Sequence, residues 1–225
     1  MAMTEQWQKT FLFWAKQPEY LELITETRAQ LYEVTRKQKC YVAFSGGKDS
    51  TVLLHLALQC QAGIPVFHWD YGIFMPRPFE QEILANMAKL GARNVTVEKR
   101  LSQSKDCKFG YKGFFGAVHM FMQGNGLELA LIGLRIEESN KRKAKIRECP
   151  EGECYPLADW GWKDIWAYIV SNNLPYPKVY DVYGPLLGYD KARFVTFFDP
   201  EFNHLGASYI DGFFFPQYRN QSNNR

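Results

Sequence analysis

The sequence has no long uninterrupted hydrophobic run and little net charge. These two absences restrict the kind of protein that it can encode. No apolar stretch reaches the roughly 20 residues needed to cross a bilayer, so we expect no membrane contact. Residues 1–16 lack the apolar core and small-residue cleavage site of a secretory signal peptide, which predicts a cytoplasmic location. The net charge of +3 is too small to indicate nucleic-acid binding by itself.

Cysteine is scarce and irregularly spaced. The chain has five cysteines, an odd number: Cys40, Cys60, Cys107, Cys149 and Cys154. Without an export signal, such cysteines predict reduced thiols rather than a disulfide framework. Cys149 and Cys154, together with Cys107, leave a zinc or iron–sulfur site as an alternative. We predict no metal there, because further cysteine or histidine ligands do not cluster nearby.

The composition and the rhythm of apolar runs predict one α/β protein. Hydrophobic residues make up 46% and charged residues 23% of 225 residues, as in ordinary globular domains. Four predicted strands alternate with helical patterns: 41–44, 66–69, 94–98 and 128–132. This alternation predicts a mostly parallel sheet with flanking helices. The polar residues 99–113 predict a loop over the ligand crevice, and 113–123 a helix. We divide the chain into N-terminal helices packing on the core at 1–39, a sheet domain at 40–175, and an irregular aromatic cap with a polar tail at 176–225.

A glycine-rich stretch joins the first predicted strand to the next helix. It reads Ser45, Gly46, Gly47, Lys48, Asp49, Ser50 and Thr51. Glycine allows backbone conformations closed to other residues, so the N–H groups of the turn can surround a phosphate at the positive end of the helix. Lys48 adds a mobile charge, and the three hydroxyls add donors. We therefore predict a phosphate-binding loop with Lys48 exposed in a crevice; an ordinary strand-to-helix turn is the alternative.

Two other predicted strands end in residues suited to the same crevice. In open parallel sheets, ligands bind outside the carboxyl ends of the strands, so Asp70 and Arg135 should project beside the loop. Asp70 is equally well explained as a turn aspartate. The planar fork of Arg135 suits phosphate or sulfate. The basic residues at 141–147 are typical of a solvated loop, and His68 is typical of a core histidine.

Three segments in order resemble the phosphoadenosine phosphosulfate (PAPS) reductase family of the PP-loop superfamily. They are SGGKDS from Ser45, GLRIEES from Gly133 and YPLADWGWKDIWAYI from Tyr155, and the resemblance covers about residues 40–181. It implies an adenine nucleotide α-hydrolase-like fold with an adenylyl nucleotide bound by residues 45–51. It further implies nucleotide contacts from Asp70, Gly133, Arg135 and Arg142, with Lys48 and Arg135 as catalytic residues.

The chain departs from this family in its cysteines, and the departure shapes the expected reaction. Reductases of the family carry a catalytic cysteine in a C-terminal motif, whereas this chain has no cysteine after Cys154. Family relatives that cleave ATP between the α- and β-phosphates require bound nucleotide and Mg²⁺ but no side-chain nucleophile. We therefore expect an adenylyl-transferring enzyme that releases pyrophosphate from ATP.

Two alternatives stay open. One is a thioredoxin-dependent reductase of PAPS or of adenosine phosphosulfate (APS). The other is a non-catalytic nucleotide-binding subunit of a nucleic-acid sulfur-modification complex, with the basic segment at 141–147 on a phosphate backbone. The expected partners are a small nucleotide substrate and, as a homo-oligomer, further copies of the chain.

Overall fold

The protein alternates helices with short strands, as the sequence predicts. The computed structural model describes residues 3–72, 75–99, 107–190 and 192, with side chains for all of these except 107–112 and 186–187. The strands are β1 (Cys40–Phe44), β2 (Val66–Asp70), β3 (Val95–Lys99), β4 (Leu129–Ile132) and β5 (Glu153–Cys154). The helices are α1 (Glu5–Trp14), α2 (Pro18–Lys37), α3 (Lys48–Cys60), α4 (Arg77–Lys89), α5 (Cys107–Asn125), α6 (Asn140–Glu148), α7 (Trp162–Ser171) and α8 (Val179–Leu187).

The five strands form one parallel sheet in the order β3-β2-β1-β4-β5, which confirms the predicted α/β fold class. The central strand β1 is flanked by β2 and β4. Its apolar residues are buried because helices cover both faces of the sheet. Strand β5 was not predicted from the sequence, because its two residues, which pair with Ala130 and Leu131, do not form an apolar run.

The N-terminal helices pack on the sheet domain through aromatic side chains. Phe11 of α1 is fully buried and stacks on Trp166 of α7 at a centroid distance of 6.1 Å. Trp160 Nε1 donates to the Thr27 hydroxyl of α2 at 2.9 Å, so the polar tip of this buried indole has a partner. The first two helices therefore share one hydrophobic core with the sheet.

Three segments differ from their predicted structure. Residues 140–148 form helix α6 rather than a solvated loop, because the Ser139 side chain accepts the N–H of Arg142 at 3.2 Å and caps the helix. Helix α5 begins at Cys107, before the predicted start at 113, and α8 occupies part of the segment predicted as irregular. The polar tail at 220–225 and residues 100–106 of the predicted crevice loop lie outside the described residues.

The turn after β1 depends on Gly46. This residue has φ +83°, a conformation that L side chains rarely adopt, and a Cβ atom here would lie 2.7 Å from the Ile83 side chain of α4. Glycine is therefore required both by the backbone and by the close packing of α4. Gly63 offers a contrast, because a Cβ there meets nothing within 4 Å.

We predict that Gly46→Ala lowers the free energy of unfolding by about 2–4 kcal/mol, since it combines a strained φ with a steric clash. Gly63→Ala is the matched control and should change stability by less than about 1 kcal/mol. Urea denaturation of both variants measures the difference. Equal stability of the two variants would show that the turn tolerates a side chain.

Candidate functional site

The predicted phosphate loop lies where the strand order reverses. From β1 the chain builds the sheet outward through β2 and β3, and it then returns to the other side of β1 to add β4 and β5. The loop following β1 and the loop following β4 therefore flank the switch point, where open α/β sheets bind ligands. Gly133 marks the closest approach, because a Cβ on it would lie 3.2 Å from the backbone of Asp49 and Ser50.

The start of α3 leaves backbone donors available for an anion. Gly47 is the N-cap and has no side chain to cap the helix. The Lys48 N–H donates to the Tyr180 hydroxyl at 3.1 Å, whereas no hydrogen bond within the described residues occupies the N–H of Asp49 or Ser50. Two donors at the positive end of a helix can bind phosphate or sulfate oxygens.

The loop hydroxyls hold the turn together. Ser45 Oγ donates to Ser50 Oγ at 3.1 Å, and Ser50 Oγ in turn donates to the Gly47 carbonyl at 3.0 Å. The Gly47 N–H donates to Ser45 Oγ at 3.4 Å. Thr51 is buried in the first turn of α3. Residues 45–47 therefore form the turn, and Lys48 to Thr51 form the first turn of α3.

Lys48 is buried, so the prediction that it is exposed in a crevice is wrong. Its side chain is 1% exposed, and its Nζ donates to Asp49 Oδ2 at 3.0 Å. The Tyr180 ring lies 5.8 Å from Nζ. Burial lowers the pKa of Lys48, and the neighbouring Asp49 carboxylate opposes that shift. No local pattern predicts this contact, because Tyr180 follows Lys48 by 132 residues.

Arg135 lies beside the loop, but its guanidinium is enclosed by acceptors rather than projecting openly. Its Nε donates to Asp49 Oδ1 at 2.5 Å, and its Nη1 donates to Glu137 Oε2 at 3.1 Å and to the Trp160 carbonyl at 3.4 Å. The side chain is 3% exposed. Burial alone would lower the pKa of Arg135, but the charges of Asp49 and Glu138 outweigh it and raise this pKa.

The GLRIEES segment also anchors the segment that begins at Tyr155. Glu137 accepts the Trp162 N–H at 2.7 Å, which places a carboxylate at the N-terminus of α7. Glu138 pairs with Arg142 on α6. Glu138 also pairs with Arg135. Arg142, which is predicted to contact nucleotide, is therefore linked to Arg135 through the Glu138 carboxylate. Neither Glu137 nor Glu138 was predicted as a site residue, although both lie within the GLRIEES segment that resembles the family.

Asp70 has the geometry of a turn aspartate. Its carboxylate accepts two hydrogen bonds from Arg77, at 2.8 and 2.7 Å, and the Gly72 N–H at 2.8 Å. Burial alone would raise the pKa of Asp70, but the hydrogen bonds from Arg77 and Gly72 outweigh it and lower this pKa. Asp70 is the last residue of β2, the strand next to β1, and its hydrogen bonds with Arg77 and Gly72 pair its buried carboxylate.

Three of the described cysteine thiols are not activated as nucleophiles. Burial raises the pKa of Cys40 to about 11 and also raises the pKa of Cys60 and Cys154. Cys40 begins β1, at the opposite end of the strand from the loop, and Cys149 is exposed at the end of α6.

Within the described residues no cluster of three or more His, Cys, Asp or Glu side chains could hold a metal ion. None of the described helices is long and apolar enough to cross a membrane.

We predict that Asp49 makes stability fall in acid. Burial alone would raise the pKa of Asp49, but Arg135 and Lys48 outweigh it and hold this pKa well below its usual range. The unfolded pKa is about 3.9, so the ionised group stabilises the fold above that pH and loses its contribution as the pH falls towards the folded pKa. Asp49→Asn should cost about 3–5 kcal/mol at pH 7 by leaving buried cations unpaired, and should flatten the dependence below pH 4.

Thermal unfolding from pH 7 to pH 2 measures this effect. Glu33→Gln is the control, because Glu33 forms an exposed pair with Lys37 and should leave the curve at pH 7 nearly unchanged. An Asp49→Asn curve parallel to that of the wild type throughout would contradict the assignment.

Comparisons with known proteins identify the family of the chain. The family model described as the phosphoadenosine phosphosulfate reductase domain matches residues 39–206. A phosphoadenosine 5'-phosphosulfate reductase of Xanthomonas axonopodis is 26% identical over 161 residues, which cover 64% of this chain and 67% of that protein. An adenosine 5'-phosphosulfate reductase of Bacillus cereus is 25% identical over 180 residues, covering 69% and 74%.

Other similarities are shorter or structural. An adenosine 5'-phosphosulfate reductase of Bacillus cytotoxicus is 36% identical over 71 residues, and that match spans 27% of this chain and 28% of the relative. The crystal structure of a PAPS reductase from Candida auris, in a phosphate complex, has a TM-score of 0.53 and 13% identity, covering 81% of this chain and 93% of that one. At this identity the likeness supports the fold. Because the family match includes the phosphate loop, the Arg135 segment and α7, the chain belongs to the phosphoadenosine phosphosulfate reductase family of the PP-loop superfamily.

Proposed function

We propose that the protein is an enzyme that binds an adenosine phosphosulfate at the loop after β1 and transfers its sulfonate group to a thiol. One observation supports the proposal: the loop and the Gly133–Arg135 segment lie together at the switch point of the sheet. Both segments belong to residues 39–206, which match the family model. The relatives reported above are named for APS or PAPS, which favours a sulfonucleotide over ATP as substrate.

The loop suits the phosphosulfate end of such a nucleotide. The N–H groups of Asp49 and Ser50 would donate to its oxygens, with the dipole of α3 behind them. The hydroxyls of Ser45 and Ser50 lie in the same turn and would add donors. Lys48 and Arg135 would act from beneath the loop by holding Asp49 in place, since their charges are matched by neighbouring carboxylates.

The reaction needs one thiol of the protein and both thiols of thioredoxin. The protein thiolate attacks the sulfate sulfur, the bond from sulfur to the bridging oxygen breaks, and the adenosine phosphate leaves with that oxygen. The sulfonate then stays on the protein thiol. One thioredoxin thiol attacks the protein sulfur, releases sulfite and forms a mixed disulfide; the second thioredoxin thiol attacks that disulfide and frees the protein thiol, so the two electrons come from thioredoxin. Cys149 is the exposed thiol among the described cysteines, and it is the first cysteine to replace.

A second candidate is cleavage of ATP between its α- and β-phosphates. The observation that favours it is the raised pKa of the Cys40, Cys60 and Cys154 thiols, which disfavours their thiolate forms. In this reaction an acceptor attacks the α-phosphorus and pyrophosphate leaves. The same loop would bind the departing phosphates with Mg²⁺, and no protein thiol would take part.

Two assays separate these reactions. We predict that the purified protein releases sulfite from APS or PAPS when reduced thioredoxin is supplied, and that Cys149→Ser abolishes the release. Ser50→Ala should slow it about tenfold, because the variant removes a hydroxyl that shapes the loop and can donate to a charged ligand. Ser171→Ala, at the end of α7, is the control and should leave the rate unchanged.

Other results would overturn the proposal. Pyrophosphate from Mg-ATP with no sulfite from either sulfonucleotide would establish the second candidate. Nucleotide binding with neither product would indicate a binding subunit, for which the basic face of α6 and a nucleic-acid ligand would then be tested.

A further inference from the structure

A buried histidine behind the phosphate loop is hydrogen-bonded at both ring nitrogens. His68 lies on β2 and is 2% exposed. Its Nδ1 lies 2.8 Å from the Phe44 carbonyl oxygen, and its Nε2 lies 2.8 Å from Glu80 Oε1. Glu80, on α4, is itself 3% exposed. The prediction that His68 is a core histidine is confirmed, and the sequence predicts no functional role for it.

The two contacts require an additional proton. A neutral imidazole has one N–H donor and one bare nitrogen, whereas the Phe44 carbonyl can only accept. Nδ1 must therefore carry a proton, which leaves Nε2 facing the Glu80 carboxyl group. A bare nitrogen opposite an ionised carboxylate would place two acceptors in contact in a buried site, which is strongly unfavourable. Either Nε2 or the carboxyl group thus carries one more proton.

The position of this pair connects it to the loop. Phe44 is the last residue of β1 and immediately precedes Ser45. Helix α4, which carries Glu80, also carries Ile83, whose side chain fills the space beside Gly46. The His68 contact therefore ties the end of β1 to the same helix that packs against the turn.

We propose that His68 and Glu80 share one retained proton, and that His68 is a positioning residue that fixes the Phe44 carbonyl and hence the entry to the phosphate loop. This inference rests on the proposed nucleotide-binding function of that loop. His68 acts through the backbone of Phe44 and does not itself contact the nucleotide.

The proton can be counted directly by NMR on the purified protein. We expect either two protonated ring nitrogens on ¹⁵N-labelled His68, or one protonated ring nitrogen together with a protonated ¹³C-labelled Glu80 carboxyl. In Glu80→Gln the amide NH₂ can donate to Nε2, so a neutral ring with a proton on Nδ1 is expected. A wild-type His68 with one N–H beside an ionised Glu80 would overturn the proposal.

The positioning role is tested in the Glu80→Gln background, where no buried charge is left unpaired. His68→Asn keeps a donor near the Nδ1 position, towards Phe44, whereas His68→Gln keeps one near the Nε2 position, towards residue 80. We expect the Asn variant to bind APS or AMP within about threefold of Glu80→Gln, and the Gln variant to bind at least tenfold more weakly by calorimetry. Thermal unfolding checks that both variants are folded.

The two possible failures differ. Equal nucleotide affinities in the two His68 variants, with wild-type affinity intact, would overturn the positioning role and leave the proposed function standing. A wild-type protein that binds neither APS, PAPS nor ATP would instead overturn the proposed function, whereas the proton count would still report on the His68–Glu80 pair.

Discussion

The ion pair between Arg135 and Asp49 holds the functional region together. It joins the loop after β4 to the first turn of α3, and both side chains are largely withdrawn from water. Because removing one partner of such a pair leaves a buried charge uncompensated, the two segments are strongly coupled. Glu137 extends the coupling to α7, and Asp164 of α7 accepts the Trp14 Nε1–H of α1 at 2.7 Å. The three segments that resemble the family are thus one connected structure.

The fold was predictable where a local pattern decides the structure. Strands β1, β2 and β4 are apolar runs bounded by turn residues, and their alternation with helices indicates a parallel sheet. Strand β5 has no such run, and the Ser139 cap that begins α6 lies before a basic stretch that is typical of a solvated loop. The proximity of Gly133 and Arg135 to the loop was predictable, because strand ends meet at one edge of the sheet. The burial of Lys48 was not, since it depends on Tyr180 in a distant part of the chain.

Family membership and chemistry depend on different parts of this molecule. The phosphate loop is built by β1, α3 and the Gly133–Arg135 segment, and its geometry is the same whichever bond of a nucleotide is broken. The nucleophile must come from elsewhere, either from a protein thiol or from an acceptor molecule. Under the proposed function, the loop would hold the adenylyl nucleotide, and the group that approaches the bound phosphate would decide the reaction.

The balance of charge beneath the loop has a consequence for how a ligand would be attracted. Lys48, Arg135 and Arg142 are matched by Asp49, Glu137 and Glu138, so formal charges largely cancel there. The remaining positive field comes from the peptide dipoles at the start of α3. Such a field is short-ranged and acts only on groups that fit the turn. Anions would then be selected at contact by the directions of the N–H groups, and their capture would depend little on ionic strength.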